Sequence, residues 1–167
     1  MSKRLFLYDV EEALQDRFLQ LKDRDLLFSA APKVQHCIGC FGCWIKTPGR
    51  CVIQDRCIVM PSYLAQCSEV IVVSPIVYGG YSPKIKAVLD RSIGYLLPYF
   101  RIVNHEMHHQ MRYHNPFVFS VCFYGACGES EKNIARRLVK ANAVNLGAGS
   151  CSIRFFPSAK EAVEELL

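Results

Sequence analysis

The sequence predicts an α/β fold in which parallel β-strands alternate with helices. Five short apolar runs are separated by segments that have helical spacing or helix end signals. The runs are continuous rather than alternating, which is typical of strands covered on both faces in a parallel sheet. Strand–helix alternation along 167 residues indicates one doubly wound domain over residues 1–167, with a long insertion at about 97–116.

The five predicted strands are defined by β-branched and aromatic residues. The segment 69–74 is the strongest, because it is continuous and β-branched and because Pro75 ends it. The other predicted strands are residues 3–8, 25–29, 116–124 and 151–156.

Helices are predicted between these strands from spacing and from end signals. The helix at 83–96 has Ser82 as its N-cap and Pro83 at its first helical position. The acidic start and basic end of the helix at 129–144 complement the helix dipole. The remaining predicted helices are residues 10–22 and a short terminal helix capped by Ser158. The aromatic and His-rich residues 97–116 fit no simple connection.

Composition and charge exclude several functional classes. A hydrophobic fraction of 51% excludes a disordered chain, and no apolar run approaches the roughly 18 residues of a membrane span. Charged residues come too early in the N-terminus for a signal peptide, so we expect a cytoplasmic protein. A net charge of +5 is too mild for a nucleic-acid stripe. Residues 33–56 and 83–115 each carry a net +3, which suits either an anionic ligand or solvated helix faces.

The nine cysteines point to metal or redox chemistry. An odd number, without an export signal, does not indicate a disulfide framework. Four of them fall within 15 residues, three at two-residue gaps: Cys37, Cys40, Cys43 and Cys51. A cubane iron–sulfur cluster needs four thiolates, and Gly39 and Gly42 allow the backbone to turn between them. Zinc and a turn-rich loop of reduced cysteines remain the alternatives.

The other cysteines and the histidines carry weaker patterns. We expect core packing for Cys57, Cys67, Cys122 and Cys151, and a passive loop position for Cys127. His105 and His109 have the spacing of a metal-binding pair on one helix face, but no helix start signal precedes them. A solvated or subunit-facing loop is therefore predicted there. The adjoining apolar residues, among them Tyr99 and Phe100, suggest packing on another subunit, and hence a homo-oligomer, or a lid over a ligand site.

Two stretches carry a family resemblance. They are CIGCFGCWIKTPGRCVIQD at 37–55 and EVIVVSPIVYGGYSPKIKAVLDR at 69–91. Together they resemble the flavodoxin-like NAD(P)H-dependent FMN reductases, most closely the branch that contains the iron–sulfur flavoproteins. The resemblance covers residues 36–92, about a third of the chain.

The resemblance implies a flavodoxin-like three-layer sandwich with a five-stranded parallel sheet of order 2-1-3-4-5. It implies FMN at the carboxyl edge of that sheet, and hydride transfer from NAD(P)H through FMN to a small-molecule or protein acceptor. Cys37, Cys40, Cys43 and Cys51 match the ligands of a [4Fe–4S] cluster. Ligands of such sheets bind at the loops after the strands, so the cofactor residues expected are Ser74, Pro75, Val77, Tyr78, Gly79, Gly80, Tyr124 and Gly125.

The chain departs from the family pattern after its first strand. The family's phosphate loop is replaced by Asp9, Glu11 and Glu12, and carboxylates compete for the positive end of a helix. Val77 stands where the family usually has Tyr, and Tyr78 comes one residue later. A second hypothesis follows: a flavodoxin-like module that has lost FMN and acts as a Cys-cluster metal-binding, redox-sensing or interaction protein.

Overall fold

Seven β-strands are present in the computed structural model, which describes residues 3–21 and 23–167. They are β1 (Lys3–Tyr8), β2 (Leu26–Ser29), β3 (Cys67–Pro75), β4 (Leu96–Val103), β5 (Glu106–Met111), β6 (Val118–Tyr124) and β7 (Ser150–Phe156). Five of them form a parallel sheet in the order β2-β1-β3-β6-β7. These are the five predicted strands in the predicted order 2-1-3-4-5, so the flavodoxin-like fold class is confirmed.

Helices cover both faces of this sheet. They are α1 (Glu12–Leu19), α2 (Gly42–Ile45), α3 (Met60–Gln66), α4 (Pro83–Arg91), α5 (Glu129–Leu146) and α6 (Ala159–Leu166). One apolar core joins α1 and α6 to Phe6, Ile71 and Val73 of the sheet. The other joins α3, α4 and α5 to alternate residues of the same strands, such as Leu5 and Val72. Because successive side chains enter opposite cores, a central strand such as β3 carries a continuous apolar run, residues 70–73.

Two helices begin at the N-cap residues that the sequence predicts, and two end earlier than predicted. The Ser82 hydroxyl accepts from the Ile85 N–H at 3.2 Å, and the Ser158 hydroxyl accepts from the Glu161 N–H at 3.3 Å. The helix predicted at 83–96 ends at Arg91 and continues as a 3₁₀ turn, Ser92–Tyr95. The helix predicted at 10–22 is shorter, Glu12–Leu19, and Lys22 lies outside the described residues.

The insertion before the fourth sheet strand is a β-hairpin, so the expectation of a loop there is wrong. β4 and β5 pair antiparallel, and Asn104 and His105 join them with φ of 51° and 64°. Two central residues with positive φ form the turn that matches the twist of paired strands. The hairpin is tied to the body of the protein by Arg101, whose Nη2 donates to the Val144 carbonyl at 3.2 Å.

A buried cation fastens the segment 35–55 to α4. Arg91 is 1% exposed, and its guanidinium donates to both carboxylate oxygens of Asp55 at 2.9 Å. It also donates to the carbonyls of Gln35 at 2.8 Å and Ile53 at 3.2 Å. Burial is the largest single effect and would raise the pKa of Asp55, but the hydrogen bonds from Arg91 and from the Gln35 and Cys57 N–H groups together hold that pKa below its ordinary value. Arg91 therefore holds the Cys-containing segment against α4.

Removing the partner of Arg91 should be costly. We expect Asp55→Asn to lower the free energy of unfolding by about 3–5 kcal/mol, because it leaves a buried guanidinium without its carboxylate. Urea unfolding followed by circular dichroism measures it. Asp90→Asn is the matched control, because the Asp90 carboxylate pairs with Lys86 at the surface, at 2.6 Å. A loss of about 0.5 kcal/mol or less is expected there, and equal losses in both variants would contradict the role of Arg91.

A second ion pair, between Arg4 and Asp25, makes the stability of the fold depend on pH. Asp25, just before β2, accepts from the Arg4 side chain at 2.7 and 3.2 Å and from the Arg4 N–H at 3.1 Å. Burial would raise the pKa of Asp25, but the hydrogen bonds from Arg4 outweigh it and lower that pKa. The stabilisation is thus complete above the unfolded pKa of about 4 and is lost as the pH falls through the folded pKa.

We expect Asp25→Asn to cost about 2 kcal/mol of unfolding free energy at pH 7, because a hydrogen bond to a charged group is lost. The difference from the parent chain should shrink as the pH is lowered below about 4. Denaturant unfolding across this pH range tests it, with Asp23→Asn as the exposed neighbouring control. A difference that stays constant with pH would contradict the assignment.

Candidate functional site

The four clustered cysteines line one small cavity. Cys37, Cys40, Cys43 and Cys51 surround a space of about 70 Å³ with Arg91 at its wall. Cys43 and Cys51 are buried and Cys37 and Cys40 are exposed. The remaining wall is apolar, with Ile53 and Ile93 among its residues. The chain thus brings four thiols to one place, with two of them facing the protein and two facing solvent.

Unusual backbone conformations shape this loop. Gly39 and Phe41 have positive φ, 65° and 54°, which lets the chain reverse between successive cysteines. Such a conformation is unfavourable for Phe, and residues held this way are concentrated at ligand sites. A Cβ on Gly42 would lie 2.5 Å from Val52 Cγ1. Only glycine at position 42 therefore lets α2 lie this close to the irregular segment that carries Val52 and Cys51.

The electrostatics of the cavity combine close thiols with one cation. Burial raises the pKa of Cys43, and the neighbouring thiols, Cys51 first and then Cys37 and Cys40, raise it further. Arg91 Nε donates to Cys51 Sγ at 3.1 Å, so one cation contacts the sulfur group directly. A metal site needs thiolates. Bound iron would therefore displace the protons of these thiols.

The separation of the thiols bears on which metal group they suit. Within residues 3–21 and 23–167, no three His, Cys, Asp or Glu side chains converge as ligands of a single metal ion. A zinc ion needs sulfurs about 2.3 Å from one point, whereas the four corners of a cubane hold sulfurs around a larger volume. Four thiols around one cavity are the type and number of donors that a cubane needs.

The predicted flavin loop after β3 is a tight turn. Tyr78 and Gly79 have φ of 49° and 76°, and the Val77 and Gly80 backbones bond to each other at 2.9 and 3.0 Å. Ser74 is fully buried and its hydroxyl accepts from the Ser82 N–H at 2.9 Å. Tyr78 is 90% exposed, and a Cβ on Gly79 would lie 2.8 Å from Ile134 Cβ of α5. The loop is therefore held against α5, with one free aromatic ring.

The opposite loop, after β6, lies directly beside it. The Tyr124 carbonyl accepts from the Ile76 N–H at 2.9 Å, next to Pro75, and the Gly125 N–H donates to the Phe156 carbonyl at 3.0 Å. The Tyr124 hydroxyl donates to the Asp9 carbonyl at 2.7 Å, and burial raises the pKa of Tyr124 to about 12. The structure thus brings the predicted cofactor residues to one edge of the sheet, where hydrogen bonds join the neighbouring strand ends.

The loop after β1 does not fit the phosphate of FMN. Only Asp9, Val10 and Glu11 separate β1 from α1. Asp9 is 7% exposed and its carboxylate pairs with Lys84 Nζ at 3.1 Å. The first turn of α1 carries Glu12. Carboxylates thus occupy the region where a phosphate would need N–H donors and positive potential.

A larger cavity, of about 670 Å³, lies between α4 and α5. Tyr81, just after the predicted flavin loop, is 7% exposed and lines this cavity. Cys37 and Gly39 belong to both cavities. Sequence reasoning missed this site; its one local signal was Asn142 and Asn145 near the end of α5, because asparagine is a weak helix former.

The histidines and remaining cysteines have structural surroundings. His105 lies in the hairpin turn and His109 in β5, so the shared helix face is not formed. The His109 ring lies between Trp44, at 4.9 Å, and Phe100, at 5.0 Å. The thiols predicted to pack in the core do so at Cys57, Cys67 and Cys122, with Cys151 half-buried and Cys127 half-buried in its loop. Burial raises the pKa of Cys57 and Cys67 to about 12.

No helix in the described part of the chain is both long and apolar enough to cross a bilayer. No family model matches this sequence. An iron–sulfur flavoprotein of Methanocaldococcus jannaschii is 32% identical to it over 82 residues. The match takes in 49% of this chain and 37% of that protein, so this chain covers well under two thirds of its relative.

Several solved structures share the fold over nearly the whole chain. General stress protein 14 of Treponema denticola, in complex with FMN, has a TM-score of 0.59 at 13% identity, covering 98% of this chain and 91% of that one. An NAD(P)H:quinone oxidoreductase of Methanothermobacter marburgensis has a TM-score of 0.60 at 11% identity, covering 99% and 93%. The resemblance inferred from residues 36–92 is confirmed: the chain is a flavodoxin-like α/β protein, similar over about half its length to an iron–sulfur flavoprotein.

Proposed function

We propose that this chain is an oxidoreductase of the iron–sulfur flavoprotein type. Cys37, Cys40, Cys43 and Cys51 would hold a [4Fe–4S] cluster, and reducing equivalents from NAD(P)H would pass through a flavin to an acceptor. The observation that carries the proposal is the single cavity bounded by all four thiols and by the Arg91 guanidinium. The sequence match to an iron–sulfur flavoprotein supports it.

The chain's own residues would bind and tune such a cluster. When bound, the cluster supplies one-electron transfer. Arg91 donates an N–H to the Cys51 sulfur, and hydrogen bonds to ligand sulfurs help set a cluster's reduction potential. Ile53 and Ile93 make the inner side of the cavity apolar. The exposed side, at Cys37 and Cys40, is the side through which electrons would enter or leave.

The flavin is supported by the fold, but the chain has no site for its phosphate after β1. One fold neighbour is an FMN complex and another is a quinone oxidoreductase, which supports flavin chemistry on this fold. The loop after β1 does not fit the FMN phosphate, because Asp9 and Lys84 pair there. A flavin would therefore have to be held by contacts to its ring rather than by a phosphate cradle.

The same ion pair favours a second candidate function. Asp9 is bonded both by Lys84 and, at its carbonyl, by Tyr124, which closes the edge of the sheet where FMN is held in the family. A flavodoxin-like module that has lost FMN would then work through the cysteine cluster alone. Its role would be metal binding, redox sensing or interaction with another protein.

A homo-oligomer stays part of the proposal. The hairpin exposes Tyr99, Phe100, Ile102 and Met107 by 57–68%, and the neighbouring cysteine segment exposes Ile38 and Ile45 by 72% and 77%. Clusters of exposed apolar residues of this kind mark protein contact sites. This surface is where we expect a second subunit to pack.

The cluster is tested by anaerobic purification and iron reconstitution. We expect about four irons and four sulfides per chain, with a broad thiolate-to-iron absorbance, because four thiolates can ligate a cubane. Cys40→Ser should lose most of that absorbance, whereas Cys127→Ser, outside the loop, should retain it. Iron content that is negligible in the parent chain, or unchanged in Cys40→Ser, would contradict the cluster.

The two candidate functions differ in flavin binding. The oxidoreductase hypothesis predicts that the reconstituted protein binds flavin and that NAD(P)H bleaches the flavin absorbance near its visible maximum. Glu11→Gln, Glu12→Gln should leave FMN affinity nearly unchanged, because the flavin is held by its ring and no phosphate lies at the start of α1. A protein that holds iron but binds no flavin would favour the flavin-free module instead.

A further inference from the structure

We propose that the cavity between α4 and α5 binds an uncharged, planar, fused-ring molecule that carries carbonyl groups, the chemistry shared by the isoalloxazine ring and by naphthoquinones. The proposal deepens the proposed function by giving its ring-shaped electron carrier a site away from the sheet edge. Ring binding is a property of the polypeptide walls, however, so its test does not require the cluster to be present.

The size and walls of the cavity suit a ring. Its volume of about 670 Å³ falls in the range of about 300–1,000 Å³ that is usual for small-molecule sites. The walls come from four segments of the chain, and the space between them is partly open to solvent. Its apolar lining consists of Leu89, Ile93, Leu96, Leu138 and Leu146.

Polar groups converge at defined points of this apolar surface. The Tyr81 hydroxyl accepts from Asn142 Nδ2 at 3.2 Å, and burial raises the pKa of Tyr81 to about 12. The hydroxyl thus keeps a proton that it can donate to a ligand carbonyl. Asn145 Oδ1 contacts His108 Nδ1 at 2.8 Å, so the amide NH₂ of Asn145 is the group available to a ligand. A few fixed donors on apolar walls orient a ring with carbonyl acceptors.

The charges of the cavity favour a neutral ligand. Lys86 is the one ammonium group in its lining, and it bonds both carboxylate oxygens of Asp90, at 2.6 and 2.7 Å. The charges of Lys86 and Asp90 neutralise each other, so the cavity offers no unpaired cation to a phosphate. A ligand whose recognised part is uncharged therefore fits better than an anion.

The position of the cavity links it to redox chemistry. Cys37, Gly39 and Ile93 line both this cavity and the four-cysteine cavity. Gly39 has no side chain, so the wall between the two spaces is thin at that point. A ring bound here would lie beside the proposed cluster, separated from it by single residues.

Lumiflavin, which is the isoalloxazine ring without ribityl chain or phosphate, is the probe. We expect saturable binding to the full chain, read by quenching of lumiflavin fluorescence, and an FMN affinity within about threefold of it, since the phosphate is not recognised. Leu138→Arg, which fills the cavity, should weaken binding at least about tenfold, or 1.4 kcal/mol. Ala141→Arg, at an exposed position of the same helix, should leave it unchanged.

Tyr81→Phe removes only the hydroxyl, so it is a second test that does not depend on correct folding of the Leu138→Arg variant. It should weaken lumiflavin binding about threefold, because one modest hydrogen bond is lost. Equal affinity in the parent, Leu138→Arg and Tyr81→Phe chains would overturn the proposal. FMN binding more than about tenfold tighter than lumiflavin would also overturn it, because the phosphate would then be recognised. Failure of the proposed cluster appears separately, as absent iron in a chain that still binds the ring.

Discussion

The buried guanidinium of Arg91 is the interaction on which the candidate site depends. A guanidinium cannot lose its charge in a protein, so folding must surround it with acceptors, and the segment 35–55 supplies every one of them. The segment has little regular structure of its own. Its path past α4, and with it the meeting of four thiols, follows from the need to pair this one cation.

Burial on both faces explains why the central sheet was predictable. In β3 the consecutive apolar residues 70–73 enter the two cores alternately, and that continuous apolar run is visible without any structure. The hairpin gives no such signal, because its strands are half exposed and its turn is Asn104–His105 rather than a residue pair with glycine. α2 and α3 were missed because four and seven residues are too few for helical periodicity to emerge.

In the candidate site, too, only the features that are local in sequence were predictable. The cysteine spacing is local, so Cys37, Cys40, Cys43 and Cys51 could be grouped from the sequence. The pair Arg91–Asp55 joins residues 36 positions apart, and Asn142–Tyr81 joins residues 61 apart. No local pattern specifies such pairs, because tertiary packing alone brings α4, α5 and the cysteine segment together. For that reason the α4–α5 cavity left only a weak local signal in the sequence, at Asn142 and Asn145.

The acidic first loop takes on a physical meaning from these contacts. A phosphate at the start of α1 would have to displace Lys84 from Asp9 and would leave a nearly buried carboxylate beside a dianion, which is strongly unfavourable. Ring binding between α4 and α5 meets no such conflict, because the charges there are already paired. The sheet of the fold class is retained, and the larger cavity lies on the helical face beside the four cysteines, where it shares Cys37 and Gly39 with the cavity that they line.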